Sequence, residues 1–306
     1  MKRTIAIIGT GWVGSSVAIS TLHSGIADEL LLHDMNGDVA EGEAMDLAHG
    51  SSFYPSASVR TASISEAAGA DAIVVSAGRN GGAGESRLDL LRDNAEIIRG
   101  IGRQLAGFRG LIVMVTNPVD VLTRVMTEAS GLPPARVVGT GTMLDTARLR
   151  QTLGRVLRLD SHSVHAQVVG EHGDSEVVLW SGAQVGGLPL RDWPGWSRQQ
   201  EPVLAEEVRT AAYQIIRRKG ATNHAIGLVA ADLLQCMLRG ERRVLTVSRV
   251  QEGALGLRGV ALSMPTIVGS EGATDILVPE MDKDERERLE RSADVLQKAY
   301  GQLGMA

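Results

Sequence analysis

The chain has 306 residues, is 43% hydrophobic and 3% aromatic, and carries a formal net charge of −5 with a single cysteine. Its length suits two domains or one large α/β unit. The charge gives no basic surface for nucleic acid or an anionic membrane, and so few aromatic rings make a base-stacking platform unlikely. A lone cysteine forms no intramolecular disulfide, which fits a reducing compartment; Cys236, in AADLLQCML, reads as a small buried hydrophobe.

The N-terminal stretch MKRTIAIIGTGWVG carries a short apolar run that ends in glycines, with no cleavage-type region behind it. It reads as a first β-strand rather than a signal peptide. No apolar run reaches the roughly 18 residues of a membrane span, and the cytoplasm is the expected location. After this strand comes Gly9-Thr10-Gly11-Trp12-Val13-Gly14, opening a helix. Gly9 allows a tight turn, Gly11 lets a pyrophosphate approach the backbone, and Gly14 lets helix and strand pack closely. The helix N-terminus then presents free N–H groups to the phosphates.

The next strand, ELLLHD, ends in Asp34, twenty residues past Gly14. A carboxylate there accepts hydrogen bonds from ribose hydroxyls and repels a 2′-phosphate. Met35 and Asn36 follow, with no arginine to receive that phosphate, so NAD is expected rather than NADP. AIVVSAG and LIVMVTNP are further runs of branched aliphatics, the pattern of buried parallel strands. Helical patterns such as WVGSSVAISTLHSG and SRLDLLRDNAEIIRGIGRQLAG lie between them, and this alternation predicts βαβ units. Past Gly139 helices mix with strands at SVHAQVVG, RRVLTVSR and VALSMPTIVG. PLRDWPGWSRQQEP reads as a surface loop. The last helix opens near Asp282 with Glu285 three later, a capping-box spacing, and carries an apolar face of Leu289, Ala293, Leu296, Tyr300 and Leu303. The fold class is thus α/β: a Rossmann-type doubly wound parallel sheet over residues 1–140, followed by an α+β substrate domain over 141–306.

Three short segments carry candidate chemistry: Glu171-His172-Gly173-Asp174-Ser175, Leu144-Asp145-Thr146-Ala147-Arg148 and Thr116-Asn117-Pro118-Val119-Asp120. Each alone has a plain structural reading, as a loop histidine, a helical surface ion pair or a turn. Together with the glycine fingerprint and Gly84-Glu85-Ser86-Arg87, and in this order over essentially the whole chain, they resemble the L-lactate/malate dehydrogenase family, most nearly its bacterial L-lactate dehydrogenases. Lys219-Gly220-Ala221-Thr222 and RRVLTVS add to the likeness.

The resemblance implies an NAD-dependent oxidoreductase of L-2-hydroxy acids. It assigns the proton donor and acceptor to His172, whose imidazole titrates near working pH. Asp145 would fix its tautomer and stabilise its protonated form. Arg148 would hold the substrate carboxylate by two parallel hydrogen bonds, and Asn117 would bond near the nicotinamide and the substrate carbonyl. The cofactor contacts implied are Gly9, Gly11, Trp12, Val13, Gly14, Asp34, Ala77, Gly78, Asn94, Thr116 and Asn117. The segment RNGGAGESR would be a lid, and Arg87 would swing in to polarise the carbonyl as charge develops on its oxygen.

At the family's specificity position, six residues before Arg87, lactate enzymes carry glutamine and malate enzymes arginine; this chain has Gly81. Thr222 matches the lactate type. The expected substrate order is pyruvate, then a bulkier 2-oxo acid, then oxaloacetate, which needs Arg79 to reach its second carboxylate. Arg150 and His165 match a pair that binds fructose 1,6-bisphosphate across a subunit contact, and a homodimer or homotetramer is implied. Two other classes are weighed. An NAD-dependent glycosidase needs a metal site, for which Cys236, His162 and His165 lack partner ligands, so no metal is expected. A non-catalytic dinucleotide sensor has no need of His172, Asp145, Arg148 and Arg87.

Overall fold

The structure, a computed structural model, describes residues 2–79, 81 and 86–304, apart from the side chain of Arg87. In the first half strands and helices alternate: β1 (Thr4–Ile8), α1 (Trp12–Ser24), β2 (Glu29–His33), α2 (Gly37–His49), β3 (Ser58–Thr61), α3 (Ile64–Ala67), β4 (Ala72–Val75), α4 (Arg87–Gln104), β5 (Leu111–Met114), α5 (Val119–Ser130) and β6 (Val137–Gly139). The second half runs α6 (Met143–Leu157), β7 (Val164–His165), β8 (Val168–Val169), β9 (Val177–Val178), β10 (Gln184–Val185), β11 (Leu188–Pro189), α7 (Glu201–Lys219), α8 (His224–Arg239), β12 (Arg243–Glu252), β13 (Arg258–Gly269), β14 (Gly272–Ile276) and α9 (Lys283–Gly301).

The first six strands pair in parallel in the order β3-β2-β1-β4-β5-β6. Both faces of this sheet are covered, which is why its strands read as unbroken aliphatic runs. Ile5 and Ile7 of β1 pack with Val17 and Leu22 of α1 and Leu234 of α8. Ala6 and Ile8 turn the other way, toward Ile98 of α4 and Leu122 of α5. The strand order reverses direction at β1 and β4, and the crevice beyond their carboxyl ends is where such sheets bind ligands. Gly9, Asp34, Ser76 and Thr116 all follow strand ends that open onto that crevice.

The sheet does not stop at β6. Strands β12, β13 and β14 extend it to nine, joining antiparallel through the pairing of Ser248 with Gly139. This continuity was not legible in the sequence, which read as an α/β half followed by an α+β half. The stretch SVHAQVVG also divides: β7 joins a three-stranded sheet with β10 and β11, while β8 pairs with β9. The division falls at Ala166, whose carbonyl oxygen is taken by Arg150 Nε at 3.1 Å instead of a strand partner.

The predicted surface loop around residues 189–202 is better packed than its proline and glycine content suggested. Leu190 is buried, Trp196 lies 6.1 Å from Trp180 between ring centres, and Arg191 ties Glu201 to Asp282. The expected C-terminal helix is present as α9, with reciprocal capping between Asp282 and Glu285 and with Leu289, Ala293, Leu296 and Tyr300 buried.

Candidate active site

The glycine turn has the tightness its spacing predicted. A Cβ on Gly9 would stand 2.4 Å from the Ala77 nitrogen, and one on Gly14 would stand 1.9 Å from the Gly9 carbonyl oxygen. Both positions therefore exclude any side chain. Around Gly11 there is open space instead, where a bound group can approach the backbone. The first turn of α1 has no acidic residue and no side-chain cap, so its N–H groups are available to an anion. Trp12 and Val13 open that helix, with Trp12 64% exposed.

Asp34 holds this turn from the end of β2. Its Oδ2 accepts the Thr10 N–H at 2.8 Å and the Thr10 hydroxyl at 3.3 Å, while Oδ1 accepts the Asn36 N–H at 3.0 Å. A pocket beside it is lined by His33, Asp34 and Ala62, among others, in the place expected for an adenosine. At the other end of the crevice a cavity of about 210 Å³ is lined in part by Val13, Gly78, Gly81, Asn94, Thr116 and Asn117. The Thr116 hydroxyl donates to the Ala77 carbonyl at 2.7 Å, and Asn94 Oδ1 accepts the Arg79 N–H at 2.8 Å. The Asn94 amide donates to the carbonyls of Arg79 and Asn117, both at 3.3 Å. Asn94 thus pins the β4 and β5 loops together, and Asn117 Oδ1 faces the start of α5, accepting the Val119 N–H at 3.3 Å. These features fit a dinucleotide laid from Asp34 across the α1 N-terminus to Thr116 and Asn117.

The second half brings its candidate residues together around one carboxylate. Asp145 projects from the first turn of α6 and is only 2% exposed. Its Oδ2 lies 2.5 Å from His172 Nδ1, and its Oδ1 accepts Arg148 Nη1 at 2.7 Å. His172 Nε2 is left for a substrate. The Arg148 guanidinium makes no other hydrogen bond among the described residues, so it has donors left for a planar anion. Burial lowers the proton affinity of His172, but the charge of Asp145, their hydrogen bond and the charge of Asp120 outweigh it and raise the imidazole to about 9. Burial also opposes the charge of Asp145, yet His172 and Arg148 hold it below the ordinary carboxylate range.

Two carboxyl groups in this cluster were not assigned a role from sequence. Asp120, at the start of α5 and 1% exposed, accepts the His172 backbone N–H on Oδ2 at 2.7 Å. Burial raises it to about 6. In the sequence it stood only as the last residue of the Thr116–Asp120 segment, an acid in the first turn of a helix. Glu176, four residues past His172, is 6% exposed, and burial together with the charge of Asp145 raises it to about 8.

The remaining candidates are placed as follows. Thr222 sits half-buried between α7 and α8, beside Asn223, whose amide donates to Ser16 Oγ of α1 at 2.8 Å. Gly81 borders the Asn94 cavity. Arg79 is turned onto α4, where it pairs with Asp93 at 3.1 Å. Arg150 lies against Ala166, next to the exposed His165. Arg87 is the first residue of α4, but its side chain lies outside the described residues, as do Asn80 and residues 82–85 of the expected lid.

Comparison with known proteins agrees with this layout. Residues 3–139 match the NAD binding domain of lactate/malate dehydrogenases, and residues 142–303 match their alpha/beta C-terminal domain. The chain is 42% identical over 300 residues to an L-lactate dehydrogenase of Priestia megaterium, covering 96% of this chain and 94% of that one. It is 40% identical over 309 residues to L-lactate dehydrogenase 2 of Enterococcus faecalis, covering 99% and 98%. A crystal structure of the minor L-lactate dehydrogenase of Enterococcus mundtii, in a ligand-bound form, superimposes with a TM-score of 0.95 at 38% identity, covering 98% of each chain. A lactate dehydrogenase from a Medee basin deep-sea metagenome gives 0.95 at 36% identity, covering 99% of each.

Proposed function

The chain belongs to the lactate/malate dehydrogenase family, and from that premise we propose that it interconverts pyruvate and L-lactate with NAD as its cofactor. The observation that carries the reading is the shared carboxylate: Asp145 holds the imidazole of His172 on one oxygen and the guanidinium of Arg148 on the other. A proton donor and a carboxylate clamp are thereby fixed relative to each other, as the reduction of a 2-oxo acid requires.

Bound NADH supplies a hydride to C2 of the substrate. Arg148 binds the substrate carboxylate in a fork that fixes which face of the carbonyl is presented. His172, protonated at neutral pH because Asp145 stabilises its cation, gives the Nε2 proton to the carbonyl oxygen as that oxygen gains charge. In the reverse direction the same nitrogen takes the proton from the hydroxyl. Asp120 holds the backbone of His172 so that the ring stays over the site. Arg87 is proposed to add a second positive charge at the carbonyl when the lid closes. Residues 1–140 would supply the cofactor site and 141–306 the substrate site.

Pyruvate is favoured over oxaloacetate by two features. Gly81 offers no cation to a second carboxylate, and Arg79 is engaged by Asp93 on α4. An unpaired carboxylate in a closed site costs several kcal/mol. Thr222 accords with the same choice, and the space left by Gly81 makes a bulkier 2-oxo acid the second candidate. Arg150 supports a further proposal. It is half-buried, and no carboxylate among the described residues pairs with it, so with His165 it would bind the phosphates of fructose 1,6-bisphosphate at a contact between subunits of a dimer or tetramer. An unchanged pyruvate saturation curve on adding that sugar would remove it. The activity itself is tested by oxidation of NADH with pyruvate and chiral analysis of the product. L-lactate is expected; D-lactate, or no turnover, contradicts the reading.

A further inference from the structure

Behind the catalytic pair stands a titratable group that the mechanism above does not use. Glu176 follows the His172 loop and immediately precedes β9, with its backbone N–H donated to the Gly173 carbonyl at 3.1 Å. Its side chain is enclosed, and its Oε1 has no hydrogen-bond partner among the described residues. The charges bearing on it come from three elements: Asp145 and Arg148 on α6, His172 on its own loop, and Arg209 on α7. Arg209 offers no direct relief. Its Nε is also buried without a partner, and its Nη1 is given to Glu206 at 2.5 Å. Facing His172 itself are Asp145, Asp120 and Arg148.

A charge count shows what this arrangement does. With Glu176 uncharged, the enclosed cluster holds two anions, Asp145 and Asp120, against two cations, His172 and Arg148. An ionised Glu176 would add a third anion with no hydrogen bond on one of its oxygens, a costly state for a carboxylate out of water. That same anion would favour the charged imidazole. We propose that Glu176 is a positioning residue for proton transfer: a neutral carboxylic acid at working pH, whose ionisation in the alkaline range reinforces the imidazolium of His172. Burial and Asp145 raise this carboxyl to about 8, into the alkaline range in which His172, itself raised, holds its proton. The inference rests on the dehydrogenase reading only for the role of His172; the protonation state of Glu176 stands apart from it.

The test is Glu176→Gln in the full-length enzyme with NADH bound. The proton affinity of His172 is read from the pH dependence of inactivation by diethyl pyrocarbonate, which attacks neutral imidazole. Loss of the Glu176 charge moves the midpoint downward, on the order of one pH unit. A side chain that merely fills space leaves it where it was. A midpoint unmoved, or moved upward, in a variant that still binds NADH overturns the proposal. Infrared spectroscopy of the unaltered protein decides the matter should that variant not fold. A carboxylic-acid C=O band must persist at neutral pH and disappear in the alkaline range; its absence also overturns the proposal. Failure of the dehydrogenase reading is recognised separately, by the lack of NADH oxidation with any 2-oxo acid.

Discussion

Asp120 and His172 stand 52 positions apart in the chain, yet the Asp120 carboxylate accepts the His172 backbone N–H at 2.7 Å. The bond joins the start of α5, a helix of the cofactor-binding half, to the loop that carries the proton donor. Asp120→Ala leaves that N–H without its acceptor. We expect a loss of about 1–3 kcal/mol of stability in chemical denaturation and a fall in kcat/KM for pyruvate of at least roughly tenfold, with NADH affinity retained. Activity equal to the parent would show that the bond does not hold the ring in place.

Arg148→Lys keeps the positive charge but loses the planar fork. Asp145 also keeps a cation nearby, so the fold is retained. The KM for pyruvate is expected to rise on the order of a hundredfold while the dissociation constant of NADH stays put. Titration of NADH by fluorescence, beside steady-state kinetics, separates the two.

Asp34→Ala removes more than a ribose contact. The carboxylate also holds the Thr10 N–H, so the glycine turn loosens with it. NADH binding is expected to weaken by about 1–3 kcal/mol, and NADPH to gain only by the loss of repulsion. A variant that binds NADPH better than NADH would show that Asp34 acts by charge alone.

The raised proton affinity of His172 has a consequence for stability. Its folded value, about 9, exceeds the ordinary 6.5, so the folded state holds the proton more tightly than the unfolded chain. The associated stabilisation, roughly 3 kcal/mol, is therefore complete below the ordinary value and is lost as pH rises through the folded one. Asp145→Asn removes the main cause. Its alkaline limb for pyruvate reduction should move down toward the ordinary imidazole range, and its melting temperature should depend less on pH between those values. An alkaline limb left in place would mean that another group stabilises the cation.

Much of this site was legible because its signals are local. Gly14 is required by the carbonyl of Gly9, five residues back, and Asp34 stands at the end of its own strand; Gly9 is required by the distant Ala77 backbone, but the spacing of the glycine turn marked it. Asp145 and Arg148 were visible as a helical i,i+3 pair, and their gathering with His172 followed from the family likeness. Asp120 escaped because its partner is a backbone N–H, which leaves no mark on the sequence at the other end. Glu176 escaped for a related reason. It is buried, and the charges of Asp145, Arg148 and Arg209 that act on it sit on α6 and α7, far off in the chain, whereas locally it is one acid in a loop rich in them. The nine-stranded sheet was hidden because the joining of β6 to β12 rests on a single pairing between distant residues, Gly139 and Ser248.

The central claim, a lactate-type dehydrogenase with no side chain at the specificity position six residues before Arg87, is tested most directly by kcat/KM for NADH oxidation with pyruvate, oxaloacetate, 2-oxoisocaproate and phenylpyruvate. The account predicts pyruvate ahead of oxaloacetate by at least roughly tenfold, the discrimination an unpaired second carboxylate imposes. A preference for oxaloacetate would contradict it, and would mean that Arg79 leaves Asp93 to reach the substrate.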